Sequence, residues 1–307
     1  MSDTSTTTLG RAEGRVAGHA AAEQAPARSK GYWSGVGSRL LRDPVAMLCA
    51  ALLGLLLLAV IFAPYLPLAD PFTGSMISRL KPLGTPGHLL GTDELGRDML
   101  ARLIYGGRLT LMLGLLPVIF AFVIGTGLGV VAGYVGGWLN TAIMRTVDVF
   151  FAFPSILLAI AISGALGAGI VNSLVSLTIV FVPPITRVAE SVTASVRSLE
   201  YVDAARISGA HPLTVVRVHV LGNVMSPIFV YATSLTSVSM ILAAGLSFLG
   251  LGVKPPEPEW GLMLNTLRTA IYINPVLAAL PGAMIFLTSL CLNLLSDGLR
   301  SAMNIKD

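Results

Sequence analysis

Long apolar stretches without any charged residue constrain the fold of this chain most. Five of them occur, at residues 44–69, 109–144, 149–186, 218–253 and 269–296. A helix that spans a bilayer needs about 20 predominantly apolar residues. Only 12% of the 307 residues are charged, whereas soluble domains carry about a quarter. These features predict a polytopic, all-α membrane protein.

The lengths of the apolar stretches predict six spans. The first, fourth and fifth stretches hold one helix each. The second and third lie only four residues apart and together hold three helices, which glycine-rich turns at 133–137 and 164–169 connect. Six spans place both termini on one side, and a cytoplasmic N-terminus puts 13 Lys and Arg inside against 7 outside. The positive-inside rule therefore favours cytoplasmic termini, with 70–107 facing outward and 195–223 facing inward.

Several chemistries are absent from the sequence. None of the lysines Lys30, Lys81, Lys254 and Lys306 follows a glycine, so the chain lacks a P-loop for ATP. Cys49 and Cys291 lie in apolar stretches and indicate neither a disulfide nor a metal site. The basic residues form no patch with aromatic residues, which argues against nucleic acid as a partner. We expect a non-enzymatic chain without a cofactor of its own.

Two further patterns concern the tail and the helix packing. Residues 1–43 are rich in Ser, Thr, Ala and Gly without apolar periodicity, which predicts a disordered cytoplasmic tail. Gly125, Gly129, Gly133 and Gly137 recur every fourth residue, and small residues at this spacing let helices approach closely. Packing within the chain is the favoured interpretation of this stripe, and a subunit interface is the alternative.

Residues 195–223 form a polar island between apolar stretches. The pattern predicts a helix with a narrow apolar stripe of Val196, Leu199, Val202 and Ala205, and then a turn. Gly209 fits the C′ position of that helix, and Pro212 fits the first turn of a second one. From the residues alone, a solvated connector remains the alternative to a docking surface for a soluble partner.

The spacing of Asp203-Ala204-Ala205, Gly209 and Leu221 resembles the EAA loop of ABC importer permeases. That loop forms a coupling helix that docks into a groove on the ATP-binding subunit. This chain departs from the pattern in having Asp203 for Glu and Gly222 for Pro. The resemblance implies ATPase-coupling roles for Glu200, Asp203, Ala204, Ala205, Arg206, Gly209, His211 and Leu221.

Further motifs extend the resemblance to most of the chain. They occur at residues 39–44, 62–64, 88–98, 103–106, 148–154, 255–261 and 297–300. In this order they are similar to the C-type permease subunit of dipeptide and oligopeptide importers, in the peptide/nickel branch of ABC importers. The resemblance implies a type I ABC importer permease fold with six transmembrane helices. Its expected parts are a first transmembrane helix at 44–69, an extracytoplasmic segment at 70–107, and a transmembrane domain at 108–303 containing the coupling loop 195–223.

The same resemblance implies the function and the partners. We expect a permease subunit that moves di- or oligopeptides across the bacterial inner membrane. The expected partners are a related B-type permease subunit, two ATP-binding subunits that carry ATP and Mg²⁺, and an extracytoplasmic peptide-binding protein. The alternatives are an importer of nickel or another small solute from this branch, an ion-driven secondary transporter, and a membrane scaffold that transports nothing.

Charged and aromatic residues outside the island provide candidates for other contacts. Six of them could meet the binding protein: Asp93, Arg97, Asp98, Glu257, Glu259 and Trp260. The sequence also suggests Trp260 as an anchor at the membrane interface. Asp148 is expected at the N-terminus of the third span, where it would pair with Arg145, and Arg187 and Glu190 are expected to be boundary charges at the end of the fourth span.

Overall fold

The computed structural model describes residues 32–303, and side chains from residue 35 onward. Within this part the chain is helical, with isolated bridges but no named strand. The helices are α1 (Tyr32–Leu40), α2 (Pro44–Ile61), α3 (Met99–Val135), α4 (Gly137–Phe151), α5 (Ser155–Leu166), α6 (Ile170–Arg197), α7 (Glu200–Ile207), α8 (Pro212–Val215), α9 (Leu221–Phe248), α10 (Trp260–Thr266) and α11 (Pro275–Met303). A π-helical turn, Val216–Val220, joins α8 to α9. Short 3₁₀ turns lie at Ala63–Tyr65, Met76–Ser78 and Arg268–Tyr272.

The candidate spans agree with the six that the sequence predicts, with one change. In the described chain, α2, α3, α6, α11 and the rod Pro212–Phe248 are each long and apolar enough to cross a membrane. Helices α4 and α5 pass the same test only as a pair, bent by 90° at a short break. The third predicted span is therefore a bent pair of helices instead of one straight helix, and the described chain has five candidate spans, or six when the bent pair counts as one.

Three predicted boundaries shift in the structure. Residues 32–40 form α1, so the predicted tail is too long at its C-terminal end, and residues 1–31 lie outside the described part. Helix α2 ends at Ile61 rather than near residue 69, because Pro64 and Pro67 have no backbone N–H to continue it. Helix α3 begins at Met99, inside the segment expected to be irregular, since the Asp98 carboxylate caps it by accepting from the Ala101 amide at 2.8 Å.

The glycine stripe of α3 packs against α6 within the same chain. A Cβ atom on Gly129 would lie 2.5 Å from both the Ala189 Cβ and the Thr186 carbonyl oxygen. A Cβ on Gly133 would lie 2.6 Å from the Glu190 carbonyl oxygen. A Cβ on Gly125 would also crowd α6. The three positions confirm that the stripe packs within the chain. Gly137 does not belong to the stripe, because α3 has already ended and space around Gly137 is open.

Two large apolar clusters hold the helices together. One cluster joins α3, α5, α6 and α9 and extends into the α7–α8 region through Val202 and Val215. The other lies at the opposite end of the bundle, where Met99, Trp260 and Leu277 pack between α3, α10 and α11. Cys49 and Cys291 are buried and free, and they pack with Leu53 between α2 and α11. The two ends of the bundle thus carry separate cores, each beside a set of charged residues.

Candidate functional site

The polar island folds into a helix–turn–helix unit, which we call the knob (residues 198–223). Helix α6 continues to Arg197, so the knob begins three residues later than the predicted island. Helix α7 ends in a Schellman turn: the Gly209 amide donates to the Arg206 carbonyl at 3.0 Å, and the Ala210 amide donates to the Ala205 carbonyl at 3.2 Å. Gly209 has φ +80°, a conformation that residues with a Cβ adopt at a cost. The predicted C′ glycine is confirmed.

The second half of the knob also begins as the sequence predicts. Pro212 occupies the first position of α8, and the His211 side chain is its N-cap, with Nδ1 accepting from the Leu213 amide at 3.3 Å. The valines of this half have low helix propensity, but they are held by packing. Val215 and Val220 are both fully buried.

Buried valines fix the knob to the bundle. Val202 of α7 is fully buried and belongs to the same apolar cluster as Val215 and Val220. The Arg206 guanidinium adds a second attachment, 5.0 Å from the centre of the Tyr134 ring near the end of α3. Leu199 departs from the predicted stripe and is 45% exposed, because the chain bends at Ser198 between α6 and α7. The knob is therefore anchored through α7, α8 and the π turn.

The side of the knob that faces away from the bundle is exposed and carries both polar and apolar residues. Five of the predicted coupling residues are exposed there: Glu200, Asp203, Ala204, Gly209 and His211. Ala205 and Arg206 are half-buried, and Leu221 is half-buried against the core. Sequence reasoning missed two apolar residues beside the glycine turn, Ile207 and Leu213, which are 87% and 73% exposed. Their position either side of a predicted turn is the signal that could have identified them.

The exit of the knob is fixed by side chains instead of a proline. The Asn223 amide nitrogen donates to the His219 carbonyl at 2.7 Å and to the Tyr201 hydroxyl at 2.9 Å. Tyr201 belongs to α7, so this contact connects the two halves of the knob. Gly222 lies in helical conformation with open space around it. The Gly-for-Pro departure thus leaves a continuous helical rod from Pro212 to Phe248.

At the other end of the bundle, four charged residues form a buried cluster before and within the first turn of α3: Asp93, Arg97, Asp98 and Arg102. The Arg97 Nε donates to Asp93 at 2.7 Å, and the Arg102 Nε lies 3.1 Å from the same carboxylate oxygen. His88 Nδ1 lies 3.0 Å from the Asp98 carboxylate. In residues 32–303 no three His, Cys, Asp or Glu side chains are placed to hold a metal ion, and the charges of this cluster balance one another.

Glu259 and Trp260 are fully buried beside this cluster. The Glu259 carboxylate caps α10, accepting from the Gly261 amide at 2.9 Å and the Leu262 amide at 2.8 Å, and also from the Thr110 hydroxyl at 3.1 Å. Burial raises the pKa of Glu259, and these hydrogen bonds oppose that shift. The Trp260 indole N–H donates to the Leu103 carbonyl at 2.8 Å. The interpretation of Trp260 as an interfacial anchor is wrong, because its side chain is fully buried and packs beside Gly106 and Gly107 of α3.

Of the six residues considered for contact with a binding protein, Glu257 alone is exposed. Asp93, Arg97, Asp98, Glu259 and Trp260 are between 0% and 6% exposed in the isolated chain. Side chains this buried connect parts of the chain and present no surface.

Asp148 occupies a different place from the one expected. It lies near the C-terminal end of α4, not at a helix N-terminus, since the third span is broken after it. Its main partner is Arg187 of α6, and Arg145 is farther away at 4.0 Å. The carboxylate and the Arg187 guanidinium are 45% and 48% exposed. Glu190, one turn further along α6, accepts from the Asn140 side-chain amide at 2.6 Å. Both expected boundary charges therefore bind α4.

Comparison with known proteins identifies the family. Residues 125–304 match the model of the binding-protein-dependent transport system inner membrane component. Residues 31–82 match the N-terminal TM domain of oligopeptide transport permease C. The matched regions cover the glycine stripe from Gly125 onward and the knob, together with the first span and part of the segment after it.

Individual relatives agree with this assignment. The chain is 42% identical over 275 residues to the glutathione transport system permease protein GsiD of Pectobacterium atrosepticum, covering 89% of this chain and 91% of the relative. It is 41% identical over 257 residues to the di/tripeptide transport system permease protein DppC of Pseudomonas aeruginosa, covering 82% and 85%.

The fold is also found among solved structures. A chain from an inward-facing structure of the MetNI methionine ABC transporter superposes with a TM-score of 0.53 at 20% identity, over 66% of this chain and 97% of that one. At this identity the likeness concerns the fold, which is that of type I ABC importer permeases. Since the family model covers more than half of the residues and the relatives align along most of the chain, the protein belongs to the family of binding-protein-dependent transport system inner membrane components.

Proposed function

We propose that this chain is the permease subunit of an ATP-driven importer that moves di- or oligopeptides across the bacterial inner membrane, with both termini in the cytoplasm. Relatives at 41–42% identity carry the names of glutathione and di/tripeptide permeases. Glutathione is itself a small peptide, so the two names agree on the class of solute. The distribution of Lys and Arg supports the orientation.

The knob is the part of the chain that couples transport to ATP. The observation that carries this proposal is its two-sided construction: Val202, Val215 and Val220 are fully buried in the bundle, whereas Ile207 and Leu213 are strongly exposed at the tip. Exposed apolar side chains beside polar ones are typical of surfaces that bind another protein. The occupants we propose are two ATP-binding subunits, which hold ATP and Mg²⁺, with one of them receiving this knob.

The coupling works by a shift between two conformations. ATP-driven closure of the ATP-binding subunits favours one arrangement of the knobs they hold, and the spans attached to the knobs follow. Helix α6 leads into the knob and the rod Pro212–Phe248 begins within it, so a displacement of the knob acts on two spans at once. A related B-type permease completes the membrane part, and a peptide-binding protein delivers the solute, with Glu257 as the exposed candidate for its contact.

A substitution in the Schellman turn tests the coupling role. Gly209→Val forces a β-branched residue into φ +80°, at a cost of about 1–2 kcal/mol, and distorts the tip without touching the core. In the reconstituted complex we expect ATP hydrolysis to persist while trialanine uptake falls by roughly tenfold, as the tip no longer fits its groove.

Gly222→Val is the matched control, because Gly222 is exposed, helical and surrounded by open space. It should leave uptake close to that of the wild type. Normal coupled uptake by Gly209→Val would exclude the proposed role of the knob. Uptake that follows a proton gradient and ignores ATP would favour a secondary transporter, and uptake of Ni²⁺ in place of trialanine would favour the nickel importers of the same branch.

A further inference from the structure

The bent α4–α5 pair has irregular backbone between its two helices. Helix α5 has 12 residues, which is about 18 Å of helix, whereas the hydrocarbon core is about 30 Å thick. The turn at 167–169 connects one end of α5 to α6. The other end of α5 is the break at residues 152–154, which we call the elbow. With that turn at one membrane surface and α5 along the bilayer normal, the elbow would lie roughly 18 Å into the bilayer.

The elbow is exposed and its backbone is incompletely bonded. Ala152, Phe153 and Pro154 are all exposed, with Phe153 at 55%. Within the described chain, the amides of Ser155, Ile156 and Leu157 donate to no backbone carbonyl outside α5 and to no capping side chain. Each unsatisfied amide in hydrocarbon costs several kcal/mol. Backbone of this kind occurs at membrane depth only where it is covered by protein or lines a water-filled cavity.

A charged pair on the same side gives an independent indication that lipid does not cover this surface. The ion pair between Asp148 and Arg187 is almost half exposed, and the Arg187 guanidinium lies 5.0 Å from the centre of the Phe151 ring, next to the elbow. Charged side chains in spans usually face the bundle interior or a water-filled space. The elbow and the ion pair therefore share one exposed surface of the isolated subunit.

Two cavities extend from this surface toward the knob. The first has a volume of about 220 Å³ and lies between the elbow, the Pro183–Pro184 pair of α6 and Tyr231 of α9. The second has a volume of about 410 Å³ and lies between α9 and the end of α11, where Asn223 and Arg300 contribute to its wall. Tyr231 lines both cavities. The two spaces thus follow one another along α9, from the elbow to the level of the knob.

We propose that the elbow, the two cavities and Tyr231 between them form this subunit's wall of the route taken by a small peptide. The inference rests on the proposed function, and it adds which residues meet the solute. The wall is largely aromatic and apolar near the elbow and gains Asn223 and Arg300 toward the knob. Such a lining contacts peptide backbones and varied side chains without demanding one particular charge. Tyr231 is the constriction between the two spaces.

Thiol labelling in the assembled transporter tests whether the elbow is wet. In a chain with Cys49→Ala and Cys291→Ala, Phe153→Cys is compared with Leu55→Cys, which lies in the middle of α2 and is 67% exposed. The probe is a charged, membrane-impermeant maleimide. An apolar environment that raises a thiol pKa by about one unit lowers its thiolate fraction about tenfold. We expect Phe153→Cys to react at least about tenfold faster than Leu55→Cys, and trialanine during turnover to slow the reaction.

Three results would overturn the proposal. Equal, slow labelling at both positions would show that lipid covers the elbow. Absence of labelling together with cross-linking to the second permease would show a dry subunit contact. Fast labelling that trialanine does not affect, in vesicles that do take up trialanine, would show a water space away from the route. If wild-type vesicles take up no trialanine, the proposed class of solute is wrong. The difference in labelling rate between Phe153→Cys and Leu55→Cys still tests whether water reaches the elbow.

A second pair of variants tests Tyr231 as the constriction. Added to the Phe153→Cys chain, Tyr231→Ala removes the ring between the cavities and should increase labelling from the knob side several-fold. Tyr231→Phe keeps the ring and should leave the rate unchanged. Equal rates in both variants would remove Tyr231 from the route.

Discussion

An Asp–Arg pair occurs in the buried cluster before α3, and another occurs in the knob, but the two pairs have opposite roles. In the buried cluster, Arg97 and Asp93 are 2.7 Å apart with side chains that are 6% and 2% exposed. In the knob, Arg206 and Asp203 are 3.3 Å apart and 34% and 57% exposed. An exposed pair adds little to stability, whereas a buried charge that loses its partner is costly. Burial therefore separates a framework that holds the chain together from a surface that remains available to a partner.

The largest effect is expected from Asp93→Ala in the buried cluster. The substitution leaves the guanidiniums of Arg97 and Arg102 buried without their shared carboxylate, which costs about 3–5 kcal/mol. It also removes the acceptor of the Leu95 and Arg97 amides. Thermal unfolding of the purified chain in detergent, followed by tryptophan fluorescence, should show a strongly lowered midpoint.

Asp70→Ala is the control for Asp93→Ala in the same segment. Asp70 is exposed and accepts a single hydrogen bond from the Phe72 amide, so its loss should shift the midpoint only slightly. Equal shifts for the two variants would contradict the division between framework and surface.

A smaller effect is expected from Gly129→Ala, in the helix that connects the two regions. Helix α3 begins at the buried cluster and packs along α6, which leads into the knob. The new Cβ would lie 2.5 Å from the Ala189 Cβ and from the Thr186 carbonyl oxygen, and overpacking of this kind costs about 1–3 kcal/mol. We expect lower thermal stability together with weaker coupling of ATP hydrolysis to uptake.

The same helix offers a control. Gly127 is exposed, and a Cβ there would meet nothing within 4 Å, so Gly127→Ala should be neutral or slightly stabilising through its higher helix propensity. If both alanine variants behave alike, the close approach of α3 and α6 does not connect the two regions.

A further, smaller effect concerns pH and the Glu259 carboxyl beside the buried cluster. Burial raises the pKa of Glu259, so the folded chain keeps this proton to a higher pH than the unfolded chain does. Stability from this group is greatest below the unfolded-state pKa and decreases as pH rises toward the folded-state pKa, by at most about 1.4 kcal/mol per pH unit. Above the folded-state pKa the decrease stops.

Glu259→Gln should lack this decrease, because its side chain does not titrate. The measurement is the thermal midpoint of both proteins between about pH 4 and pH 8, taken as a difference at each pH. If the wild type becomes more stable with rising pH relative to Glu259→Gln, the hydrogen bonds from Gly261, Leu262 and Thr110 outweigh burial.

Features that depend on neighbouring residues could be predicted from the sequence. The C′ glycine at residue 209 and the proline that begins α8 appear where the residues predict them. The glycine turns after α3 and α5 lie within the predicted segments 133–137 and 164–169 but begin later, because α3 continues to Val135 and α5 to Leu166. Each depends on a local rule, such as the absence of a Cβ or of a backbone N–H. The stripe of Gly125, Gly129 and Gly133 was predictable for a similar reason, since its spacing places it on one helix face.

Features that depend on distant contacts could not be predicted. Trp260 donates to a carbonyl 157 positions earlier, and Glu259 accepts from a hydroxyl 149 positions earlier, so no local pattern could show that both are buried. The break in the third span has a local sign in Pro154, but its 90° bend depends on how α4 packs against α3 and α6. For this reason the sequence predicts Asp148 at a helix N-terminus, whereas it lies near the C-terminal end of α4.

The smallest effect on stability, and the sharpest contrast with the buried cluster, is expected from Asp203→Ala in the knob. Removal of an exposed pair with Arg206 should change stability by about 0.5 kcal/mol or less, while Val202, Val215 and Val220 continue to anchor the knob. If the knob couples to an ATP-binding subunit, uptake per ATP hydrolysed should nevertheless fall in the reconstituted complex. Asp203→Glu keeps the carboxylate and should retain coupling. A loss of stability as large as that of Asp93→Ala would place Asp203 in the framework, and unchanged coupling would leave contact with the partner to apolar residues such as Ile207 and Leu213.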